Sequence, residues 1–254
     1  ASTSSAGKGG DAIVEAGSGG VGGNMVIQSG SGATESGGSI SILSGSSLSS
    51  VSGEVKLSTS SSGTTGNLEV MSGDSSAGPS GTLSINGGTS LAKSSDVTIS
   101  AGESTDAMGG DLSFTAGGST TSDGGSVSIQ TGSSVVSGSG SMLVKSRRGA
   151  SSGGVSMSSG DARDGQAGDV YLSTGSSLLS GSVSLSSGAG VAAGDISISA
   201  GISSEKGGSV SLSSGNAGSV NIRTSASASS GSVELRTGSG TAVASGSVKV
   251  NTGT

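Results

Sequence analysis

The chain has 254 residues, of which 52 are glycine, with no cysteine, histidine or tryptophan and a single phenylalanine and tyrosine. This composition excludes a bulky aromatic core, disulfides, thiolate or imidazole metal sites, and catalysis by a serine–histidine or cysteine–histidine pair. The net charge of −6 and the scattered basic residues make nucleic acid a poor partner, and no apolar run is long enough to span a bilayer.

One short pattern recurs from one end of the chain to the other: glycine, then polar and aliphatic residues in strict alternation, then a small residue and often glycine. Clear copies are Gly181-Ser-Val-Ser-Leu-Ser-Ser-Gly188 and Gly208-Ser-Val-Ser-Leu-Ser-Ser-Gly215. Alternation with a period of two predicts a strand with one buried face. Eighteen copies are present, with first aliphatic positions at Ala12, Met25, Ile40, Val55, Leu68, Leu83, Val97, Leu112, Val127, Met142, Val155, Val170, Val183, Ile196, Val210, Val220, Val233 and Val248.

The linkers between these copies carry a second, longer period. A Gly-x-Ser-aliphatic linker begins at Gly45, Gly88, Gly132 and Gly175, with spacings of 43, 44 and 43 residues, after every third copy. This period predicts an all-β fold, a parallel β-helix (β-solenoid) with three strands per coil, about 43 residues per coil and six coils. A tandem duplication without geometric meaning, with two strands and about 28 residues per coil, is the alternative.

In the predicted β-helix each coil places six aliphatic side chains inside. For one coil the predicted core is Val97, Ile99, Leu112, Phe114, Val127 and Ile129. The third inward position is small, as at Ala101 and Ala116, which suits a taper toward a corner. The glycine that usually follows is expected to adopt positive φ at a sharp turn, whereas the corners at Ser60, Arg147 and Ser225 are expected to be more open.

Residues 1–254 are predicted to form a single continuous β-solenoid domain, an internal segment of a longer rod. No amphipathic helix or charged cap is recognisable at either end of the sequence. Uncapped solenoid ends expose apolar side chains and unpaired backbone groups. The expected partner is therefore the chain itself, by end-to-end stacking into a fibre, with no nucleic acid and no membrane insertion.

Carboxylates are the remaining option for catalysis. Asp11, Glu54 and Asp96 precede the first strand of successive predicted coils, and Asn24, Asn67 and Asp111 precede the second. A polysaccharide-active enzyme could use such columns, but short polar residues also bind the turn backbone at strand ends. We favour the turn role, and we expect no enzyme activity, no cofactor and no metal.

Serine occupies most outward positions of the later copies and predicts flat rows of hydroxyl groups. These rows can carry O-linked glycans or contact polysaccharide, or they can be merely solvated surface. The candidate residues are Ser156, Ser158, Ser184, Ser186, Ser197, Ser199, Ser211 and Ser213. Asn-x-Ser/Thr sequons are absent from the sequence, so any glycan would be O-linked.

Through its Gly-Ser-Val-Ser-Leu-Ser-Ser-Gly unit the chain resembles the Ser/Gly-rich parallel β-helix repeats of large extracellular fibre and adhesin proteins. The resemblance implies a structural filament, stalk or cell-surface fibre segment, located outside the cell, at the cell surface or in the cell wall. An ice-binding or adhesin solenoid is the alternative function. Ice binding requires a regular threonine array, and outward threonines such as Thr98 and Thr115 are few.

Overall fold

Bends interrupt the chain at about the 14-residue interval of the sequence repeat. In a computed structural model, residues 7–203, 206–226, 230–239 and 245–252 are described. Each described bend falls in a predicted linker, so the division into repeats is confirmed. The bends from 19 onward lie at 19–21, 33–35, 48–50, 63–64, 76–78, 91–93, 105–107, 120–122, 135–137, 150–151, 163–165, 177–179, 190–192 and 216–217.

The prediction of a parallel β-helix is wrong. None of the described residues lies in a strand or in a helix, so neither the coil of three strands and about 43 residues nor the stack of six coils is formed. The two-strand coil of about 28 residues is wrong for the same reason. Alternating polarity specifies the side on which each side chain lies, but it does not specify which backbone groups pair.

Backbone hydrogen bonds lie at the loops instead. In eight loops the N–H of the glycine that closes the loop donates to a carbonyl oxygen of the glycine that opens it, at 2.8–3.0 Å. We call these the closing and opening glycines. The eight pairs, opening glycine first, are Gly17/Gly23, Gly30/Gly38, Gly45/Gly53, Gly102/Gly110, Gly117/Gly125, Gly132/Gly140, Gly201/Gly208 and Gly215/Gly218.

The closing glycine lies close to the opening glycine and to the residue that precedes it, and the approach is tightest at Gly23, Gly53, Gly208 and Gly218. In these eight loops a Cβ atom added to the closing glycine would lie 3.2–3.5 Å from the Cβ of the residue before the opening glycine. That residue is always Ala, Ser or Thr, as at Ser44 and Ala101. Its small size therefore reflects contact with the closing glycine, which corrects the interpretation as a taper.

The expectation of positive φ at the opening glycines is also wrong. Gly165 is the one glycine in the described ranges with positive φ, and Ala217 is the one other residue. The opening glycines Gly45 and Gly102 have no atom within 4 Å of an added Cβ. Ser60 and Arg147, which stand where an opening glycine would be expected, begin loops without such a backbone bond in the described chain. Described loops that begin at Gly73, Gly160 and Gly188 also lack it, so the more open corners stay a prediction.

The chain divides into two units, Ala1–Ser128 and Ile129–Thr254. Within each unit the loops and the segments between them have the same organisation. Parts of three later linkers, at 204–205, 227–229 and 240–244, lie outside the described residues, as do residues 1–6 and 253–254.

No described side chain is buried. At Val26, Leu143 and Tyr171, the residue at the predicted outward position is more exposed than the aliphatic residues on either side of it. From Met25 onward the first aliphatic of each segment is 48–62% exposed, and the second is 57–90% exposed. All six predicted core residues, from Val97 to Ile129, are more than half exposed, so the closed core of a β-helix does not form within this chain. Among the described residues only Ser29, Ala101, Ala116 and Ala200, all adjacent to opening glycines, are half-buried.

We predict that replacing Gly53 with Ala opens its loop. The added Cβ would lie 3.3 Å from Ser44 Cβ and 3.4 Å from the backbone nitrogen of Gly45, and this crowding weakens the 2.8 Å bond from Gly53 N–H to Gly45 O. A bond of this kind contributes about 0.5–1.5 kcal/mol. Amide hydrogen exchange at residue 53 should accelerate by about twofold to tenfold.

Gly45→Ala is the matched control, because its added Cβ meets nothing within 4 Å. Exchange at residue 53 should be unchanged in that variant. Equal acceleration in both variants would show that loop closure does not depend on the close approach at Gly53.

Candidate functional site

The eight predicted serine hydroxyls lie on the segments between loops, and all eight residues are exposed. Within the described part of the chain no hydrogen bond from these hydroxyls to another protein group is found. Each hydroxyl has one donor and two acceptor positions. The four segments concerned, which contain Ser156, Ser184, Ser197 and Ser211, therefore present hydroxyl groups whose hydrogen-bonding capacity is open to water or to a ligand.

A second set of serines has a different role, which the sequence analysis missed. These serines lie two residues after the glycine that begins a loop, whether or not that glycine forms the closing bond. Each Oγ accepts a hydrogen bond from a backbone N–H two or three residues further on, at 3.0–3.4 Å. This is the geometry by which serine stabilises turns. The residues are Ser47, Ser75, Ser90, Ser104, Ser119 and Ser134. The recurring Gly-x-Ser motif in the sequence could have indicated this role.

Hydroxyl groups also reinforce the base of some loops. Ser29 Oγ donates to the carbonyl oxygen of Gly38 at 2.9 Å, and Thr174 Oγ1 donates to that of Gly181 at 3.2 Å. Ser29 and Thr174 each precede an opening glycine position. Serine and threonine at this position therefore provide both the small volume that the closing glycine requires and an additional hydrogen bond across the loop.

Outward side chains contact each other at a spacing of two residues. Tyr171 OH donates to Asp169 Oδ2 at 3.3 Å, Asn86 Nδ2 donates to Ser84 Oγ at 2.6 Å, and Asn221 Nδ2 donates to Ser219 Oγ at 3.0 Å. Arg236 and Glu234 form an exposed ion pair in the same way, at 3.3 Å. Residues two apart share a side only in a locally strand-like chain. In these segments, the polar residues at alternate positions therefore share a side.

The acidic residues before the first segment of each predicted coil do not converge on a site. Asp11 pairs with Lys8 and Asp96 with Lys93, each at 3.0 Å between exposed side chains three residues apart. These partners are lysines of the preceding linker rather than turn backbone groups, which differs from the turn role that we favoured. Exposed pairs of this kind stabilise a chain little.

The described residues enclose no pocket and contain no group of three or more Asp and Glu side chains arranged to hold a metal ion. Across the same residues, no helix has the length and apolarity needed to cross a membrane. Comparisons with protein-family models, with curated proteins and with solved structures give no match.

We predict that Ser47→Ala loosens the loop between Gly45 and Gly53. The substitution removes the oxygen that accepts from the N–H groups of Ser49 at 3.4 Å and Ser50 at 3.0 Å. Amide exchange at Ser50 should accelerate by about twofold to tenfold, the equivalent of one lost hydrogen bond. Ser46→Ala is the control, since Ser46 is adjacent and its hydroxyl takes no part in this turn. Unchanged exchange in Ser47→Ala would exclude the turn role.

Proposed function

We propose that this chain is a non-catalytic structural segment of an extracellular filament, stalk or cell-surface fibre, and that its partner is another copy of itself. The observation that supports this most directly is the exposure of its aliphatic side chains. They recur in every repeat with a consistent inward bias, yet all those in the described residues remain largely exposed. Extended apolar surface of this kind is typical of a protein that completes its packing by association.

The accessible surface area of the chain shows how much surface a partner could cover. The chain exposes 25151 Å², whereas a folded monomer of 23.2 kDa is expected to expose roughly 9,700 Å². The excess is many times the approximately 1,200–2,000 Å² buried in an ordinary stable interface. A partner that covered this area would have to extend along most of the length of the chain rather than contact a local patch.

A second copy of the chain suits this requirement. Its segments have the same spacing of about 14 residues, set by the same loops. Only 11% of residues are charged, so copies can approach without a high density of like charge. Aliphatic rows of one copy can cover those of another, which buries apolar area at about 25 cal/mol per Å².

The serine rows support the proposed location and a polysaccharide role. Ser184, Ser186, Ser211 and Ser213 lie on the outward side of their segments, where association through the inward aliphatics leaves them accessible. Rows of hydroxyls can accept O-linked glycans or bind the hydroxyls of polysaccharide by reciprocal hydrogen bonds. The resemblance of the repeat to those of extracellular fibre and adhesin proteins favours a site outside the cell.

We predict that Leu112→Ser weakens self-association. Leu112 is 52% exposed, so an assembly can bury about half of a side chain whose full burial contributes about 1.5–3 kcal/mol. Loss of that contribution should raise the critical concentration for filament formation by about fourfold to tenfold. Sedimentation of assembled material over a concentration series, with electron microscopy of the pellets, measures this change.

Ser113→Ala is the matched control, because Ser113 is the next residue and lies on the outward side. Its critical concentration should stay within about twofold of the parent chain. A parent chain that remains monomeric at all accessible concentrations would overturn the proposed self-association. Equal effects of Leu112→Ser and Ser113→Ala would show that the inward aliphatics do not form the interface.

A further inference from the structure

The backbone N–H and C=O groups of the described segments are a second set of groups that a neighbouring copy could contact. The eight backbone hydrogen bonds of the described residues all join loop glycines. In the described chain no such bond joins the middle of one segment to another, so those N–H and C=O groups lack partners within the chain. Backbone groups must be paired once they leave water. Any association that buries the aliphatic rows must therefore also pair the segment backbones.

Resting on the proposed self-association, we infer that copies of this chain stack in parallel and in register, each segment pairing its backbone with the same segment of the next copy. The pairing lies between chains, so the conformation of each chain remains as described. It supplies partners to N–H and C=O groups along whole segments and covers the aliphatic rows in one arrangement. Parallel, in-register chains stack at about 4.8 Å.

The side-chain alternation restricts the register. A slip of one residue would place the inward aliphatics of one copy opposite the polar outward residues of the next. In register, Leu112 and Phe114 lie over their own copies. Serine is also self-complementary, because a hydroxyl can donate to the hydroxyl above it and accept from the one below. The rows containing Ser184 and Ser211 can therefore form continuous hydrogen-bonded ladders along the stack.

The loops exclude a slip by a whole repeat. The loop at 163–165 contains Arg163 and Asp164, whereas the next loop, at 177–179, contains the exposed aliphatic residues Leu178 and Leu179. A slip that brought these loops together would cover charged groups with an aliphatic surface.

Like charges lie above each other in such a stack, and the ion pairs reduce this cost. Lys8 with Asp11, Lys93 with Asp96 and Arg236 with Glu234 are neutral pairs within one chain. The remaining net charge of −6 per chain repels between copies. Salt screens this repulsion, so stacking should be faster at 0.15 M than at 0.01 M ionic strength, where the Debye lengths are about 8 and 30 Å.

The composition allows a test without any substitution. Phe114 and Tyr171 are the only phenylalanine and the only tyrosine of the chain, one in each of its two units. Growth with phenylalanine or tyrosine carrying carbonyl ¹³C labels a single backbone site per molecule. Solid-state NMR dipolar recoupling on sedimented assemblies then measures the spacing between equivalent carbonyl carbons of neighbouring copies.

A spacing of about 4.8 Å at both labels supports parallel, in-register stacking, and dilution with unlabelled chain should abolish the coupling. If filaments form but the labels of neighbouring copies lie more than about 8 Å apart, which is farther than the spacing of adjacent strands, the proposed register is wrong and self-association still stands. A spacing of about 4.8 Å at Phe114 alone would overturn in-register stacking for the second unit. Failure to form assemblies would overturn both the proposed function and this inference.

Discussion

Loop closure by a pair of glycines is the constraint on which the rest of this structure depends. The closing glycine must donate its N–H to the opening glycine while its Cα approaches the residue before that glycine. Both requirements are met when the approached residue is small, as at Ser44, Ala101 and Ala200. The four half-buried residues in the described ranges all lie at this contact. Loop geometry, rather than a hydrophobic core, therefore sets the spacing of the segments.

A chain organised in this way leaves two kinds of group unsatisfied. Aliphatic side chains on the inward side are covered only in part, and the segment backbones have no intrachain partners among the described residues. Neither deficit can be met by a small ligand, because both extend over many repeats. A second copy repeats the same pattern at the same intervals, so it can cover the aliphatics and pair the backbones together. This common requirement connects the proposed function with the proposed register.

The serines are divided between two physical roles according to position. Serines that lie two residues after the glycine that begins a loop, such as Ser47 and Ser134, accept hydrogen bonds from the loop backbone and help to fix the turn. Those at alternate positions of the segments, such as Ser184 and Ser211, keep their hydroxyls toward solvent. The first group maintains the loops and the second is available for association with polysaccharide, glycan or a neighbouring copy. One residue type thus serves both shape and surface because its hydroxyl can donate and accept.

The sequence by itself determined the repeat length, the positions of the loops and the side on which each side chain lies. These are local properties: glycine and serine punctuate the chain, and the alternation at Val170, Tyr171 and Leu172 fixes which side chain is more exposed. The tertiary structure decided the partner of each backbone group, and there the β-helix prediction was wrong. Pairing depends on how loops direct successive segments, and the 43-residue recurrence of Gly-x-Ser-aliphatic linkers carries no such information. The contact between closing glycine and small residue likewise joins residues several positions apart, so only the folded loop revealed why Ala101 and Ala116 are small.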